Sequence, residues 1–429
     1  MNSIKVGIIG FGTVGAGVAS ALLTNSDVME RRTGVKAELA RIADLDITSD
    51  RGVEIPPGIL TTDVNQLIDD VDVVVELVGG IDHAKKFIAA ALEKGKPVVT
   101  ANKALIAKHG EELFAIAEKS GTDIYYEASV AGGIPVIKAL KEGLVANRIT
   151  RIVGILNGTC NYILTKMEKE SVDFDSVLAE AQELGYAEAD PSLDIDGFDT
   201  AHKTAILASL AYGEWFGTDP VFVEGIRGIE LTDIKYAMEM GYKIKLLGII
   251  KQENHDVQIR VHPTLIPQDT LLAGISSVFN GVLITGDYAG DSLYYGQGAG
   301  RDATASSVVA DIMDVALNQE FGSHRRVPDF RTGSQFGKVI EMDDVMSRYY
   351  IRLQVIDKPK VVASVSEILG NQNISISSIM QSEESAGEEV PLLILTHFAK
   401  EGDINTALEE IQALECVHGT PVKIRIEDI

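Results

Sequence analysis

The segment Val6-Gly-Ile-Ile-Gly10-Phe-Gly12-Thr-Val-Gly15 constrains the fold more than any other stretch of this chain. Its glycines follow an apolar strand and open a helix expected over Val14–Leu23. Gly10 suits a tight turn, Gly12 lets a pyrophosphate approach the backbone, and Gly15 allows the helix to pack closely on the sheet. The helix N-terminus then offers N–H groups and a partial positive charge to phosphates. Taken alone, the same pattern also occurs in glycine turns that bind nothing. Here the next β-branched run, Glu38–Ile42, ends near Asp44, in the place of a ribose-binding carboxylate. An acidic strand end favours NAD over NADP, yet Asp44 lies 29 positions beyond Gly15 and Arg41 sits close by. The choice between NAD and NADP stays open.

Around this segment the pattern repeats. Short β-branched runs (Lys5–Ile9, Glu38–Ile42, Val71–Leu77, Pro97–Thr100, Ile124–Glu127) alternate with helical stretches, which predicts crossover units and a doubly wound parallel sheet over residues 1–130. Residues 131–325 mix long helices (Phe174–Leu184, Thr200–Tyr212, Ala303–Ala316) with strands at Lys243–Ile250, Val257–Pro263 and Gly281–Asp287, an α+β region. A polar stretch, Ser323–Gly337, is the one candidate linker. Beyond it, residues 346–429 read β-α-β-β-α-β: Arg348–Ile356, Pro359–Leu369, Ile374–Met380, Val390–His397, Ile404–Leu414, Val422–Ile426. That is a ferredoxin-like arrangement.

Composition excludes several functions. The 429 residues carry 38 basic and 63 acidic side chains, a formal charge of −25 that argues against nucleic-acid binding or docking on an anionic membrane. Two cysteines, Cys160 and Cys416, cannot make a disulfide framework or a cysteine zinc site. The eight histidines show no paired metal-ligand spacing. No apolar run reaches the roughly 18 residues of a membrane span, and a first strand beginning by Ile4 leaves no room for a signal peptide. A cytoplasmic protein is expected.

Two further segments carry chemistry. In Pro97-Val-Val-Thr-Ala-Asn-Lys103-Ala-Leu, a lysine falls just past the carboxyl end of a parallel strand, where open sheets bind ligands. On spacing alone a solvated loop cation is the better reading. The denser signal is Gly185-Tyr-Ala-Glu188-Ala-Asp190-Pro-Ser-Leu-Asp194-Ile-Asp196-Gly-Phe-Asp199-Thr-Ala-His-Lys203. Asp199 and Lys203 are four apart and share a helix face. Carboxylates suit an ammonium substrate, and a lysine screened from water can trade protons. The register is wrong for an EF-hand calcium loop. The bland alternative is an ordinary ion pair on a solvated helix.

Together these segments, with Glu127-Ala-Ser-Val-Ala-Gly-Gly-Ile-Pro135, Leu156-Asn-Gly-Thr-Cys-Asn-Tyr-Ile-Leu164 and Gly296-Gln-Gly-Ala-Gly300-Arg, make the chain resemble the homoserine dehydrogenases that end in an ACT regulatory domain. The resemblance runs over essentially the whole length. It implies reversible reduction of L-aspartate 4-semialdehyde to L-homoserine with a nicotinamide cofactor, on the route to threonine and methionine. By resemblance, Lys203 is the proton donor and acceptor, Glu188 and Asp199 hold the substrate ammonium, and Asp194 supports Lys203. Lys103 then sits beside nicotinamide and substrate. Gly10, Phe11, Gly12, Thr13, Val14 and Gly15 line the pyrophosphate, and Gly185 and Gly300 close on the cofactor. The family also has a monovalent-cation site (Na+ or K+) of backbone carbonyls, matching Glu127, Val130, Gly132 and Ile134. The same segment reads equally as a glycine-rich crossover.

In the C-terminal region, Val355-Ile-Asp357-Lys-Pro359-Lys-Val-Val-Ala363 and Ile374-Ser-Ile-Ser-Ser-Ile-Met-Gln381 resemble an ACT domain, an amino-acid-sensing module that works in pairs. It implies L-threonine as effector and a homo-oligomer, dimer or tetramer. Lys360 departs from the glycine frequent after the proline, so a dimerisation module without ligand is the alternative. Two other functions compete. Cys160 beside a helix start suggests a thiol-dependent semialdehyde dehydrogenase, although the family usually carries threonine there. A non-catalytic nucleotide and amino-acid sensor needs neither Lys203, Asp199 nor Glu188. A fused aspartate kinase is not expected, because the fingerprint opens within the first ten residues. Trp215, Tyr212 and Phe216 read as packing residues.

Overall fold

The fold is that of a computed structural model, which describes residues 3–324, 326–327, 337–381 and 389–429. The candidate linker Ser323–Gly337 lies largely outside the described residues. The chain divides into two compact units: Met1–Gly158 with Asp199–Val221 and Val278–Gln335, and Thr159–Phe198 with Phe222–Ser277 and Phe336–Ile429.

In the first unit the β-branched runs form the expected parallel sheet. Its strands are β1 (Ser3–Ile9), β2 (Lys36–Ala43), β3 (Leu60–Thr61), β4 (Val73–Glu76), β5 (Val98–Thr100) and β6 (Ile124–Tyr125). They lie in the order β3-β2-β1-β4-β5-β6, so the order reverses between β1 and β4. That reversal opens the crevice in which doubly wound sheets bind ligands. The strands alternate little because helices cover both faces. Ile4, Val6, Ile8, Val73, Val75 and Val99 are buried against the helix Thr13–Thr24 and the long helix Arg301–Glu320. β6 stops at Tyr125, short of the expected Glu127, because Glu127–Ser129 turns into a short 3-10 helix. The Glu127 N–H leaves the sheet for the Asp311 carboxylate at 2.9 Å. Antiparallel strands Ile149–Ile155, Phe279–Gly286 and Gly290–Gln297 complete the unit. Trp215 packs its ring on Gly110, where a Cβ would lie 2.3 Å from it, so it is a packing residue as expected.

The second unit pairs Tyr242–Glu253 with Asp256–Pro267 antiparallel along their whole length. The carboxyl-terminal region follows β-α-β-β-α-β: Met346–Ile356, Val361–Asn371, Ile376–Gln381, Glu389–Thr396, Glu401–Gln412 and Val417–Ile426. Its own core is Tyr349, Ile351, Leu353, Val365, Leu369, Leu392, Ile404 and Ile411. The last strand starts at Val417 rather than Val422, because Val417 and His418 already pair with Val355 and Gln354 before an irregularity in register. Lys360 opens the helix with φ +79, a backbone region that favours glycine, and its side chain is exposed. No helix of the described residues is long and apolar enough to cross a membrane.

Candidate active site

The glycine turn has the shape its sequence implies. Gly10 has φ +101, and a Cβ there would lie 2.7 Å from the Leu77 backbone. A Cβ on Gly15 would lie 2.0 Å from the Gly10 carbonyl, which is why helix and strand can approach. Gly12, by contrast, faces open space: a Cβ there would meet nothing within 4 Å, as a backbone that receives a pyrophosphate requires. Thr13 opens the helix at this turn and Val14 follows. Asp44, just past β2, does not reach outward. Its Oδ2 accepts the Phe11 N–H at 2.5 Å and its Oδ1 the Asp46 N–H at 2.9 Å, so it secures the turn itself. Arg41 is also occupied, by Asp70 and the Gly58 carbonyl.

Lys203 lies on the helix Phe198–Tyr212, whose apolar residues are buried almost all round. Asp199 and Lys203 are 3% and 7% exposed, which excludes a solvated surface pair. The Lys203 ammonium donates to Asp199 Oδ2 at 2.7 Å and to the Leu156 carbonyl at 2.6 Å. Lys103, the first residue of the helix Lys103–Ser120, places its Nζ 2.8 Å from Asp199 Oδ1. Asn157 completes the set by donating to Asp199 Oδ2 at 2.8 Å. Burial alone would push the Asp199 carboxyl up, but the two lysines hold it well below the usual carboxylate range. One carboxylate thus fixes two ammonium groups from distant parts of the sequence. Both oxygens of Asp199 are engaged by the lysines and Asn157.

Three members of this arrangement were not legible as such. The Leu156 oxygen is backbone, so no side-chain pattern marks it. Asn157 and Asn280 act across long sequence separations: Asn157 reaches Asp199, and Asn280 donates to the same Leu156 carbonyl at 3.0 Å. The signal for Asn157 was a polar residue at the carboxyl end of the buried strand Ile149–Ile155.

In the second unit, Glu188 is exposed and Asp194 half-buried on the acidic loop that begins at Gly185, which has φ +75. The Asp194 carbonyl accepts the Cys160 thiol at 3.2 Å. Cys160 is fully buried and serves as a donor, the behaviour of a packing thiol rather than an exposed thiolate nucleophile. The Gln182 amide ties down the Glu188 carbonyl at 3.0 Å. Gly300 caps the helix Arg301–Glu320 with φ +117 in the first unit.

Around Glu127 the side chain is consumed internally. Its carboxylate accepts the Ile137 and Lys138 N–H groups, each at 2.8 Å, and burial pushes its pKa up to about 7. The Gly132 carbonyl accepts the Ser307 hydroxyl at 2.7 Å, and that of Ile134 accepts the Val136 N–H. Val130 is buried beside them. Among the described residues no three His, Cys, Asp or Glu side chains gather as metal ligands.

A doubly wound sheet with a glycine turn at its first crossover, joined to a buried lysine held on a carboxylate, defines a nucleotide-dependent oxidoreductase of the Rossmann class. Family models agree: residues 10–127 match "Homoserine dehydrogenase, NAD binding domain", 135–313 match "Homoserine dehydrogenase" and 349–416 match "ACT domain". The homoserine dehydrogenase of Pseudomonas aeruginosa is 45% identical, covering 100% of each chain. The crystal structure of that from Thiobacillus denitrificans superposes with a TM-score of 0.93 at 43% identity, over 99% of this chain and 98% of the other. A hyperthermophilic archaeal homoserine dehydrogenase in complex with NADPH gives 0.64 at 29% identity, over 77% and 100%. The chain belongs to the homoserine dehydrogenase family, in the form that carries a C-terminal ACT domain.

Proposed function

We propose that the chain interconverts L-homoserine and L-aspartate 4-semialdehyde, with Lys203 moving the proton. The observation that carries this reading is the Lys203 ammonium, buried and held on Asp199 and the Leu156 carbonyl. The nicotinamide, when bound, gives or takes the hydride. Lys203 protonates the carbonyl oxygen as negative charge develops there, and in the oxidising direction it takes the hydroxyl proton. Asp199 keeps Lys203 oriented and draws Lys103 to the same place, so that two cations face a developing alkoxide. Glu188 and Asp199 hold the substrate ammonium, and Asp194 supports Lys203. The cofactor's pyrophosphate lies over Gly12 and the Thr13–Val14 helix start, with Gly10, Phe11 and Gly15 shaping the turn and Gly185 and Gly300 closing on it. NADP is the favoured cofactor, with support from the NADPH complex of the archaeal relative, and NAD is the competitor.

The proposal extends to a monovalent cation, Na+ or K+, on the carbonyls of Glu127, Val130, Gly132 and Ile134. Support comes from chemistry: the Glu127 carboxylate is spent on backbone N–H groups, which leaves carbonyl oxygens as the donors a hard monovalent ion would meet. We assign residues 1–130 to cofactor binding, 131–325 to substrate binding and dimerisation, and 346–429 to regulation by L-threonine. The exposed side chain of Lys360 supports that assignment. A cytoplasmic homodimer or tetramer in threonine and methionine biosynthesis follows from the same reading.

Steady-state oxidation of L-homoserine, with NAD and NADP in parallel, tests it on wild type and Lys203→Ala. Reduced cofactor is expected from wild type, with kcat at least about a hundredfold lower in the variant. Equal turnover by both would keep the reaction and discard Lys203 as the proton carrier. In the same assay, rates unchanged by millimolar L-threonine would overturn the effector assignment.

A further inference from the structure

Glu76 is the last residue of β4 and is fully buried. It stands level with Ile9 at the end of β1 and with Thr100 at the end of β5, at the point where the sheet order reverses. Every other residue of β4 is valine, so packing alone asks for an apolar side chain here. A buried carboxylate is costly unless its hydrogen bonds are needed.

Those bonds reach two loops. Oε1 accepts the Val78 N–H at 2.8 Å, in the loop that runs on to Gly79-Gly80. Oε2 accepts the Thr100 hydroxyl at 2.7 Å. Because that hydroxyl spends its one proton on Glu76, its lone pairs face the Asn102 N–H, which donates to it at 3.0 Å. Asn102 then works in both directions. Its Oδ1 accepts the Leu105 N–H at 3.1 Å and caps the helix, while its Nδ2 donates to the Gly80 carbonyl at 2.7 Å. The next residue is Lys103, on Asp199 at 2.8 Å. The relay closes into a ring: Glu76 to Val78, Gly80 to Asn102, Asn102 to Thr100, and Thr100 back to Glu76.

We propose that Glu76 is a positioning residue of the hydride-transfer crevice, the common acceptor that locks the Val78–Gly80 loop to the Thr100–Lys103 loop and so aims Lys103. It touches neither substrate nor cofactor in this assignment. The inference rests on the reading of Lys103 as a group beside the nicotinamide and substrate. Both oxygens must accept, which is why a carboxylate is required. Glutamine has the same shape but turns an NH2 toward one of the two donors. Burial raises the pKa of Glu76 to about 7 while the Thr100 and Val78 donors oppose that rise, so it is these two hydrogen bonds that favour the ionised form in which both oxygens accept.

The test is a double-mutant cycle on the intact enzyme, with kcat and both KM values measured for Glu76→Gln, Thr100→Val and the pair, and with Lys103→Ala as a control. Glu76→Gln should lower kcat about tenfold and leave the homoserine KM within about threefold. In the Thr100→Val background the same change should cost less than about twofold, because the link it breaks is already gone. Cofactor-binding stoichiometry and thermal melting correct each rate for folded, competent enzyme, which removes the loss a merely structural role would produce. An unchanged kcat in Glu76→Gln, or an equal loss in both backgrounds, would overturn the inference. Should Glu76→Gln fail to accumulate, Thr100→Val alone must show the kcat loss without a KM change. If Lys103→Ala retains full kcat, the reading of Lys103 fails and the inference with it. If Lys103→Ala collapses while Glu76→Gln does not, the inference alone fails.

Discussion

Two buried charge clusters, one in each unit, solve the same electrostatic problem with different cations. In the first, Asp199 is flanked by Lys203, Lys103 and the Asn157 amide. In the second, Glu401 is held by Arg425 through two bonds, Nε at 2.9 Å and Nη2 at 2.5 Å, and also by Lys423 and the Tyr349 hydroxyl. Arg425 continues to Glu224 at 2.8 Å and lays its guanidinium 5.0 Å from the Phe222 ring centroid. Both carboxylates are held below their ordinary range against the opposing push of burial. The difference lies in what the cations can do. Arginine does not give up its proton, and its planar fork matches a carboxylate rigidly, so the Glu401 cluster is framework. Lysine can lose a proton and presents a point charge that a substrate oxygen can share, so the Asp199 cluster is equipped for chemistry. Burial alone does not separate the two; a buried arginine anchors Glu401 beside Lys423, whereas lysines alone pair with Asp199.

The sharpest way to break this contrast is Lys203→Arg, which keeps the charge and the Asp199 pairing but removes the proposed proton carrier. We expect kcat to fall by at least about a hundredfold with little change in melting temperature. An arginine variant that turns over at the wild-type rate would place the chemistry elsewhere. The converse experiment is Arg425→Met. It removes the two-bond partner of Glu401, leaving Lys423 and the Tyr349 hydroxyl, and should cost about 3 kcal/mol of stability in denaturant titration, while kcat of the folded fraction stays within about twofold. Adding Glu401→Leu and Lys423→Met should restore most of the loss, since the matched apolar set no longer leaves an unpaired charge. A kcat that falls with Arg425, after correction for folding, would make the second cluster more than framework.

How much of this was visible in the sequence follows from how far each interaction reaches. The glycine turn was legible because backbone geometry dictates its residue types: Gly10 needs φ +101 and Gly15 has no room for a Cβ. The Asp199–Lys203 pair was legible because four residues make one helical turn. Lys103 was seen at a strand end, but its partner was not, since the sheet topology that brings it to Asp199 leaves no local trace. The Leu156 carbonyl had no signature at all. Glu76 was hidden in the run Val71–Leu77, which also holds Asp72, although a carboxylate directly after Val73-Val-Val75 was a readable anomaly. Arg425 falls inside the strand expected over Val422–Ile426 and Glu401 ahead of the helix expected over Ile404–Leu414, and nothing local marks the two as buried partners.

A third arrangement sharpens the comparison, because it buries carboxylates with no bonded cation. Glu127 sits on the Ile137 and Lys138 N–H groups, and Asp311 accepts the Glu127 N–H. Here burial wins: the Glu127 pKa rises to about 7, and Asp311 is pushed well above its usual range by burial first and then by Glu127. The consequence for stability has the opposite sign to that of Asp199. A depressed carboxylate such as Asp199 contributes stability at neutral pH and loses it only as pH falls below the ordinary carboxylate range. A raised one is more protonated folded than unfolded between about pH 4.5 and about pH 7, so its contribution is full below that window and is lost as pH rises through it. Glu127 and Asp311 interact, so they titrate as a pair. Melting of wild type and Glu127→Gln across pH 5 to pH 8 isolates the effect, because other titrating groups cancel in the difference. The wild-type curve should fall more steeply with rising pH, by about 2 kcal/mol over the window. Parallel curves would mean that the pair stays ionised in the folded chain. Hydrogen bonds from backbone N–H groups alone would then suffice to hold a buried carboxylate charged, and the cations around Asp199 would be needed for catalysis rather than to keep it ionised.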